Sequence, residues 1–195
     1  MSAVIVLAAG ASRRMGTTDK LLLPIHDRPM YQHALTLAAS LSVHTRIVVT
    51  NTDIIAQTAR EMGFLVVPSP NAALGMGWSV AAGAKALYPS QMAVFLNADQ
   101  PFLQVQTVQH LLDICTQTGK IVVPYTGDAP CSPCVFPARF LPELSALTGE
   151  KGGRAVWSQY PEQIQPVMLD NGDELADVDT PAGYAAAKAR LTALE

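Results

Sequence analysis

Short apolar runs alternate along the chain with longer segments in which apolar residues recur at helical spacing. The runs are rich in valine and isoleucine, which is typical of buried strands. They cover residues 3–7, 46–50, 64–67, 92–96, 120–123 and 165–169. The segments between them are long enough for helices at 30–40, 53–62, 77–87 and 104–118. This order predicts a mostly parallel sheet with helices on both faces and right-handed crossovers.

The alternation stops after Pro124. Residues 127–137 hold three prolines and two cysteines, which predicts a loop with at most one short strand. Shorter helices are expected at 140–147 and 153–160. Thr180 and Pro181 mark the start of a last helix, because threonine caps a helix and proline fits its first turn. With no internal repeat and no linker, we predict an α/β fold: a single Rossmann-like three-layer domain over residues 1–195 with a mixed, mostly parallel sheet.

Composition and charge narrow the function classes. The chain has 195 residues, of which 49% are hydrophobic and 15% charged, so it has the material for a core and is not disordered throughout. A net charge of -3 gives no basic excess, so we expect no nucleic-acid partner. No apolar run approaches the ~20 residues that span a bilayer. Three cysteines are a poor disulfide framework, and no basic segment precedes the first apolar run. We therefore expect a cytoplasmic protein without a membrane partner.

The turn after the first strand is the most informative segment. Residues 7–16 read LAAGASRRMG, and Lys20 follows. Small residues let backbone N–H groups approach a phosphate chain, and the cations add full positive charge. A tight turn with solvated arginines is the plainest alternative. A dinucleotide-binding turn needs G-x-G-x-x-G and a P-loop needs G-K-[ST], and neither pattern is present here.

This segment resembles the signature L-A-[AG]-G-x-S-x-R-[ML]-G-x(2–3)-K of the molybdenum cofactor cytidylyltransferases, within the MobA-like NTP transferase superfamily. The resemblance implies that the loop wraps the triphosphate of a nucleotide, with Arg14 and Lys20 on the phosphates as catalytic residues. The matching nucleotide-binding positions in this loop are Leu7, Ala8, Ala9, Gly10, Ser12, Arg14, Gly16 and Lys20.

Aspartates follow two apolar segments. Asp99, after the predicted strand at 92–96, can be a magnesium ligand or an ordinary turn residue before Pro101. The sequence Asp99-Gln100-Pro101 resembles the family's D-[MQ]-P, which implies that Asp99 binds the nucleotide's magnesium and is catalytic. The sequence 177–181, DVDTP, resembles D-[IV]-D-T-P, which implies the same metal role for Asp177 and a weaker case for Asp179. Asp170, Asp173 and Glu174 are predicted to be a solvated acidic loop.

A glycine-containing segment before the helix at 77–87 is either an ordinary connection or a nucleotide-binding loop. It resembles the family's G-[ML]-x-x-S, which implies that Gly75, Met76 and Ser79 contact base and ribose. Alanine at position 9, where guanylyltransferases tend to have glycine, implies CTP as the nucleotide.

The sequence Cys131-Ser132-Pro133-Cys134 is a C-x-x-C. A zinc site, a redox pair and two ordinary loop cysteines all remain open, although His110 and Cys115 supply no convincing further ligands. The segment resembles the family's G-[HN]-P-x-x-F, which lies near the second substrate, but Cys131 and Ser132 replace the usual residues. The acceptor is thus the least defined part of the resemblance.

Together, these features predict a magnesium-dependent nucleotidyltransferase that moves CMP from CTP to a phosphorylated acceptor and releases pyrophosphate. The resemblance implies molybdopterin as acceptor, and a molybdenum enzyme or its maturation chaperone as a protein partner. The alternatives are a sugar or alcohol phosphate as acceptor, a non-catalytic module that delivers cofactor, and a Rossmann-type oxidoreductase, which the missing glycine pattern disfavours.

Overall fold

A twisted sheet forms the middle layer of the computed structural model, which describes residues 1–10, 19–170 and 172–192. Eight strands of these residues belong to the sheet, and two more form a small hairpin. The sheet strands are β1 (Ser2–Leu7), β4 (Thr45–Val49), β5 (Leu65–Val67), β6 (Met92–Asn97), β7 (Ile121–Thr126), β8 (Ala129–Pro130), β9 (Cys134–Phe136) and β10 (Ile164–Met168). The hairpin strands are β2 (Pro24–Ile25) and β3 (Arg28–Pro29).

The sheet is mixed and mostly parallel, as the sequence predicts. Its strand order is β10-β7-β9-β6-β1-β4-β5, with β8 paired to β7. The pairs of β1 with β4 and β6, β4 with β5, and β7 with β10 are parallel. Only β8 and β9 run antiparallel to their neighbours in this sheet of described residues. The predicted fold class is confirmed, while the two short antiparallel strands exceed the single one expected between residues 127 and 137.

Helices cover both faces of the sheet. They are α1 (Met30–Ser40), α2 (Asp53–Glu61), α3 (Met76–Lys85), α4 (Val105–Thr118), α5 (Leu141–Ser145), α6 (Arg154–Trp157) and α7 (Pro181–Thr192). The start of α7 agrees with its sequence signal, because Thr180 Oγ1 accepts a hydrogen bond from the Gly183 N–H at 3.0 Å. The predicted helix at 153–160 is shorter than expected and makes a single turn. No helix in the described ranges has both the length and the apolar character needed to cross a membrane.

Side-chain alternation along the strands builds two separate cores. In β1, Val4 and Val6 face the layer of α1, α2, α4 and α7, while Ile5 faces α3, α5 and α6. All three side chains are fully buried. A central strand buried on both sides reads as a continuous apolar run, which is why β1 was recognisable from the sequence.

The acidic loop before α7 differs from its prediction at one residue. Asp170 and Asp173 are exposed, but Glu174 is buried and only 7% exposed. Its carboxylate accepts hydrogen bonds from the Gln104 N–H at 3.1 Å and from the Thr107 hydroxyl at 2.9 Å. Glu174 thus caps the start of α4 from a distant part of the chain, where a negative charge also meets the positive end of the helix. The prediction of a fully solvated loop was wrong for Glu174.

Replacing Glu174 by alanine is expected to lower the free energy of unfolding by about 1–3 kcal/mol, because it removes a buried carboxylate that accepts charge-assisted hydrogen bonds from Gln104 and Thr107. Chemical denaturation of the two variants Glu174→Ala and Asp170→Ala measures this. The exposed Asp170 is the matched control and should change stability by less than about 0.5 kcal/mol. Equal effects of the two substitutions would show that Glu174 has no capping role.

Candidate functional site

The carboxyl ends of β1 and β6 bring two loops together. The parallel register pairs Leu7 with Asn97, and the Ala98 N–H donates to the Leu7 carbonyl at 3.1 Å. The described backbone after β1, residues 8–10, therefore lies beside the Asp99 loop. In open α/β sheets this edge is where ligands bind.

Lys20 reaches this edge from a short 3-10 turn, Lys20–Leu22. Asp19 caps the turn by accepting from the Leu21 N–H at 3.0 Å, and the Leu21 side chain is buried. Nζ of Lys20 donates to Asp99 Oδ2 at 2.6 Å and to Asp179 Oδ1 at 2.5 Å. Only 11% of the lysine side chain is exposed. Lys20 therefore links three segments that lie far apart in the sequence: its own turn, the loop of Asp99 and the segment of Asp179.

The segment that carries Asp177 and Asp179 is fixed on the Asp99 loop. The Val178 N–H donates to the Asp99 carbonyl at 3.0 Å, and the Val178 side chain enters the core. Because neighbouring side chains alternate along an extended segment, the two aspartates share the opposite side. The Asn97 side chain favours the charged form of the Asp177 carboxylate. The structure thus brings Lys20, Asp99 and both aspartates into one cluster.

Crowding of like charges perturbs this cluster. The pKa of Asp177 is raised to about 7, first because surrounding protein displaces water from its carboxylate and then because Asp99 and Asp179 repel its charge. Lys20 and Asn97 oppose the shift. Asp177 is exposed to solvent, so the protein excludes water from only part of its carboxylate. Burial alone lowers the pKa of Lys20, but its two carboxylate partners outweigh burial and raise it. A second cation would relieve the repulsion.

One oxygen of Asp99 is suited to such a cation. Oδ2 is bonded to Lys20, while Oδ1 is buried without a hydrogen-bond partner. A buried carboxylate oxygen without a partner is costly unless something binds it. Among the described residues, no three acidic, histidine or cysteine side chains form a ready-made metal cage. The arrangement therefore fits an ion held by two aspartates and by oxygens of a ligand, which is how Mg²⁺ is commonly bound.

A cavity of about 350 Å³ opens at the same edge. Of the residues predicted to bind nucleotide or metal, eight line it: Leu7, Ala9, Gly10, Lys20, Gly75, Met76, Ser79 and Asp99. Two others do not: Ala8 is buried in the core, and Asp177 lies beside the cavity at the cluster. Ser12, Arg14 and Gly16 lie outside the described residues. Asp179, the weaker candidate for the metal role, also lines the cavity, and the lining residues that sequence reasoning did not assign include Asn97 and Glu150.

Gly75 shapes the cavity through a close backbone approach. Its φ is +131°, and an added Cβ would lie 2.2 Å from the Gly149 carbonyl oxygen. The Gly77 N–H donates to the same oxygen at 2.9 Å. These contacts dock the loop before α3 on the loop that carries Glu150, so Glu150 lines the cavity. Glycine at position 75 thus has a packing reason in addition to any contact with a ligand.

The C-x-x-C segment lies next to the Asp99 loop. Nε2 of Gln100 donates to the Ser132 carbonyl at 3.4 Å and to the Leu175 carbonyl at 2.8 Å. Cys131 and Cys134 are free thiols in the structure. Burial raises the pKa of Cys134 to about 12, so this thiol stays protonated at neutral pH. With no further cysteine or histidine grouped around them in the described ranges, these residues are not a metal site there.

Comparison with known proteins agrees with this geometry. The model of the MobA-like NTP transferase domain matches residues 4–164. A nicotine blue oxidoreductase of Paenarthrobacter nicotinovorans is 30% identical over 188 residues, covering 90% of this chain and 91% of that protein. A molybdenum cofactor guanylyltransferase of Cupriavidus metallidurans is 31% identical over 188 residues, covering 90% and 89%.

Solved structures show the same fold. The crystal structure of Rv0371c from Mycobacterium tuberculosis has a TM-score of 0.79 at 25% identity, covering 96% of both chains. A manganese complex of Rv0371c has a TM-score of 0.72 at 21% identity, covering 96% of this chain and 97% of that one. The chain belongs to the MobA-like NTP transferase family and is a nucleotidyltransferase of that family.

The raised pKa of Asp177 predicts a pH-dependent difference in stability. Its ordinary pKa is 3.8 and its folded value is about 7. Between these values the folded protein holds a proton that the unfolded chain has lost, so wild-type stability falls as pH rises through this window. Asp177→Asn removes that loss. The Tm of the variant should therefore gain on that of the wild type between pH 5 and pH 8.

Thermal unfolding in the presence of a chelator, with Asp170→Asn as the exposed control, measures the difference. If the difference in Tm between Asp177→Asn and wild type stays constant from pH 5 to pH 8, the folded structure does not raise the pKa of Asp177.

Proposed function

We propose that this protein transfers CMP from CTP to a phosphorylated acceptor of the molybdopterin type and releases pyrophosphate. The observation that carries the proposal is the cluster of Lys20, Asp99 and Asp177 at the cavity, in which Asp99 Oδ1 is buried without a partner. Nucleotidyl transfer needs negative charge placed for a metal and positive charge placed for phosphates. The cluster supplies both within one site.

The metal we propose is Mg²⁺. Carboxylate oxygens are the ligands that this hard cation prefers, and Asp99 Oδ1 and Asp177 are the residues that would hold it. The manganese complex of Rv0371c supports a divalent ion at a site of this fold. When bound, such an ion neutralises the charge that develops on the phosphates during transfer.

The residues of the chain have separate tasks in this reaction. The backbone turn after β1, with Gly10 at the cavity, and Lys20 are proposed to bind the triphosphate, together with Arg14. An oxygen of the acceptor phosphate attacks the α-phosphorus in line, and a new P–O bond forms. The bond from the α-phosphorus to the bridging oxygen breaks, and pyrophosphate leaves with the electron pair. A phosphate monoester has a second pKa near ~6, so the acceptor needs no general base at neutral pH.

The choice of CTP rests on the cavity wall. Ala9 lines the cavity together with Gly75 and Ser79, and its methyl group takes up space that glycine would leave to a larger purine. The relative from Cupriavidus metallidurans is named a guanylyltransferase of the molybdenum cofactor, which supports an acceptor of the molybdopterin type. A direct comparison of turnover with CTP and GTP tests the choice of base.

A second candidate is oxidoreduction, since a relative of equal similarity is named nicotine blue oxidoreductase. The turn at residues 7–16 lacks G-x-G-x-x-G, and hydride transfer has no use for a lysine between two carboxylates. Incubation with reduced nicotinamide cofactors and a dye acceptor distinguishes the two. Cofactor oxidation without pyrophosphate release from any nucleoside triphosphate would favour the oxidoreductase.

Asp99→Asn is expected to lower pyrophosphate release by about 100-fold or more, because several kcal/mol of charge stabilisation depend on the metal. The assay contains CTP, Mg²⁺ and molybdopterin, and the matched control is Asp170→Asn. The fold should survive, since Lys20 keeps its bond to Asp179. Near-normal turnover of Asp99→Asn would refute the proposed metal site and favour a carrier without catalysis.

The wild-type protein is expected to turn over CTP faster than GTP at equal concentration, and Ala9→Gly should raise the rate with GTP relative to CTP. The control is Ala73→Gly, which removes a methyl group from another segment of the cavity lining. Faster turnover of GTP by the unmodified protein would overturn the choice of CTP while leaving nucleotidyl transfer in place.

A further inference from the structure

Asp177 and Asp179 lie two residues apart but have different partners. The Asn97 side chain favours the charged form of Asp177, whose carboxylate also feels the charge of Asp99. Asp179 instead binds Lys20, with Oδ1 accepting from Nζ at 2.5 Å. The Val178 backbone N–H fixes this segment on the Asp99 carbonyl, so neither aspartate can exchange places with the other without breaking that bond.

The position of Lys20 depends on both of its carboxylates. A lysine ammonium is a compact charge on a flexible stem, and three donors can rotate around it. With Asp99 alone, Nζ could move over either carboxylate oxygen. The second bond, to Asp179, restrains Nζ at Oδ2, and the buried Oδ1 has no hydrogen-bond partner.

Electrostatics also favour a bond between Asp179 and Lys20. An ammonium beside a metal ligand repels an incoming divalent ion. Asp179 adds a negative charge directly on that ammonium, so the repulsion is reduced where Oδ1 has to bind the ion. The side chain of Asp179 is 39% exposed, whereas that of Asp99 is 19% exposed. Water therefore hydrates the carboxylate of Asp179 more fully than that of Asp99.

We propose that Asp179 is a positioning residue: it holds Lys20 Nζ on Asp99 Oδ2, which reserves Asp99 Oδ1 for the divalent ion, while Asp177 and not Asp179 completes the metal site. This inference rests on the proposed nucleotidyl transfer. It assigns separate roles to the two aspartates of the D-V-D-T-P segment. Asp179 acts through Lys20 and touches neither the ion nor the reacting phosphorus.

The test compares Asp179→Asn with Asp177→Asn on the full chain. Binding of Mn²⁺ is followed by the paramagnetic resonance of the free ion, without nucleotide and then with inorganic tripolyphosphate, which carries no base. Asp177→Asn should weaken Mn²⁺ binding by about tenfold or more, since a ligand is lost. Asp179→Asn should also weaken it, because Nζ can then move towards Oδ1. In a Lys20→Met background no ammonium competes for Oδ1, so Asp179→Asn should change Mn²⁺ binding by less than about threefold while Asp177→Asn still weakens it by about tenfold. Equal loss in the two variants on the Lys20→Met background would overturn the assignment.

Turnover supplies a second measurement. Asp179→Asn should lower kcat by about 10- to 100-fold, the scale of a misplaced catalytic group, without raising KM for CTP. Asp179→Glu should restore part of kcat because it can still bind Lys20. In a Lys20→Met background, Asp179→Asn should have no further effect on kcat, because the bond through which it is proposed to act is gone. Independent losses that multiply would overturn the positioning role.

The proposed function and this inference fail in different ways. Wild-type protein that binds no Mn²⁺ and releases no pyrophosphate refutes nucleotidyl transfer, and the inference falls with it. Wild-type protein that does both, with Asp179→Asn losing Mn²⁺ as Asp177→Asn does in the Lys20→Met background, refutes only the inference. Circular dichroism and Tm of each variant show whether a loss reflects unfolding.

Discussion

The parallel pairing of β1 with β6 is the constraint on which the site depends. Its register sets Leu7 opposite Asn97, so the two strands end together and their loops leave the sheet side by side. The hydrogen bond from the Ala98 N–H to the Leu7 carbonyl extends the pairing one step beyond the strand. Asp99 is the next residue, and a slip of one residue in this register would turn its side chain to the other face of the sheet. The fully buried valines and isoleucine of β1 make such a slip expensive.

The sheet edge beside β1 and β6 carries more negative charge than stability alone would favour. Asp99, Asp177 and Asp179 meet at one edge, and the exclusion of water together with the repulsion from the other two carboxylates raises the pKa of Asp177 to about 7. Lys20 binds two of the three carboxylates. Such crowding lowers the stability of the empty protein, and strained or repulsive groups persist where function needs them. Elsewhere the same loop is anchored by ordinary means, through the buried Glu174 at the start of α4 and Val178 in the core.

Much of the fold was predictable because its signals are local. Strand β1 and helix α1 are marked by apolar runs and helical spacing, and the structure places α1 at the predicted residues 30–40. Strand β9 carries no such signal, since Val135 and Phe136 become a strand only by adding to β6 and β7. Glu174 was missed for the same reason: its partners on α4 lie about seventy residues earlier in the chain, and an acid in a polar loop looks solvated until the loop folds back.

In the candidate site, too, the residues with a local sequence signal were predictable and the long-range contacts were not. Asp99 and Lys20 follow recognisable signatures, whereas the bond from Lys20 to Asp179 spans 159 positions and no spacing rule indicates it. This geometry explains why one fold can include relatives with different names. The sheet edge and its acids depend on β1 and β6, which form the core. The loops at Gly75, Glu150 and Ser132, which we propose lie near the base and the acceptor, are held by a few backbone contacts and can change without cost to that core. Specificity in this family is therefore expected to vary in those loops first and in the acidic cluster last.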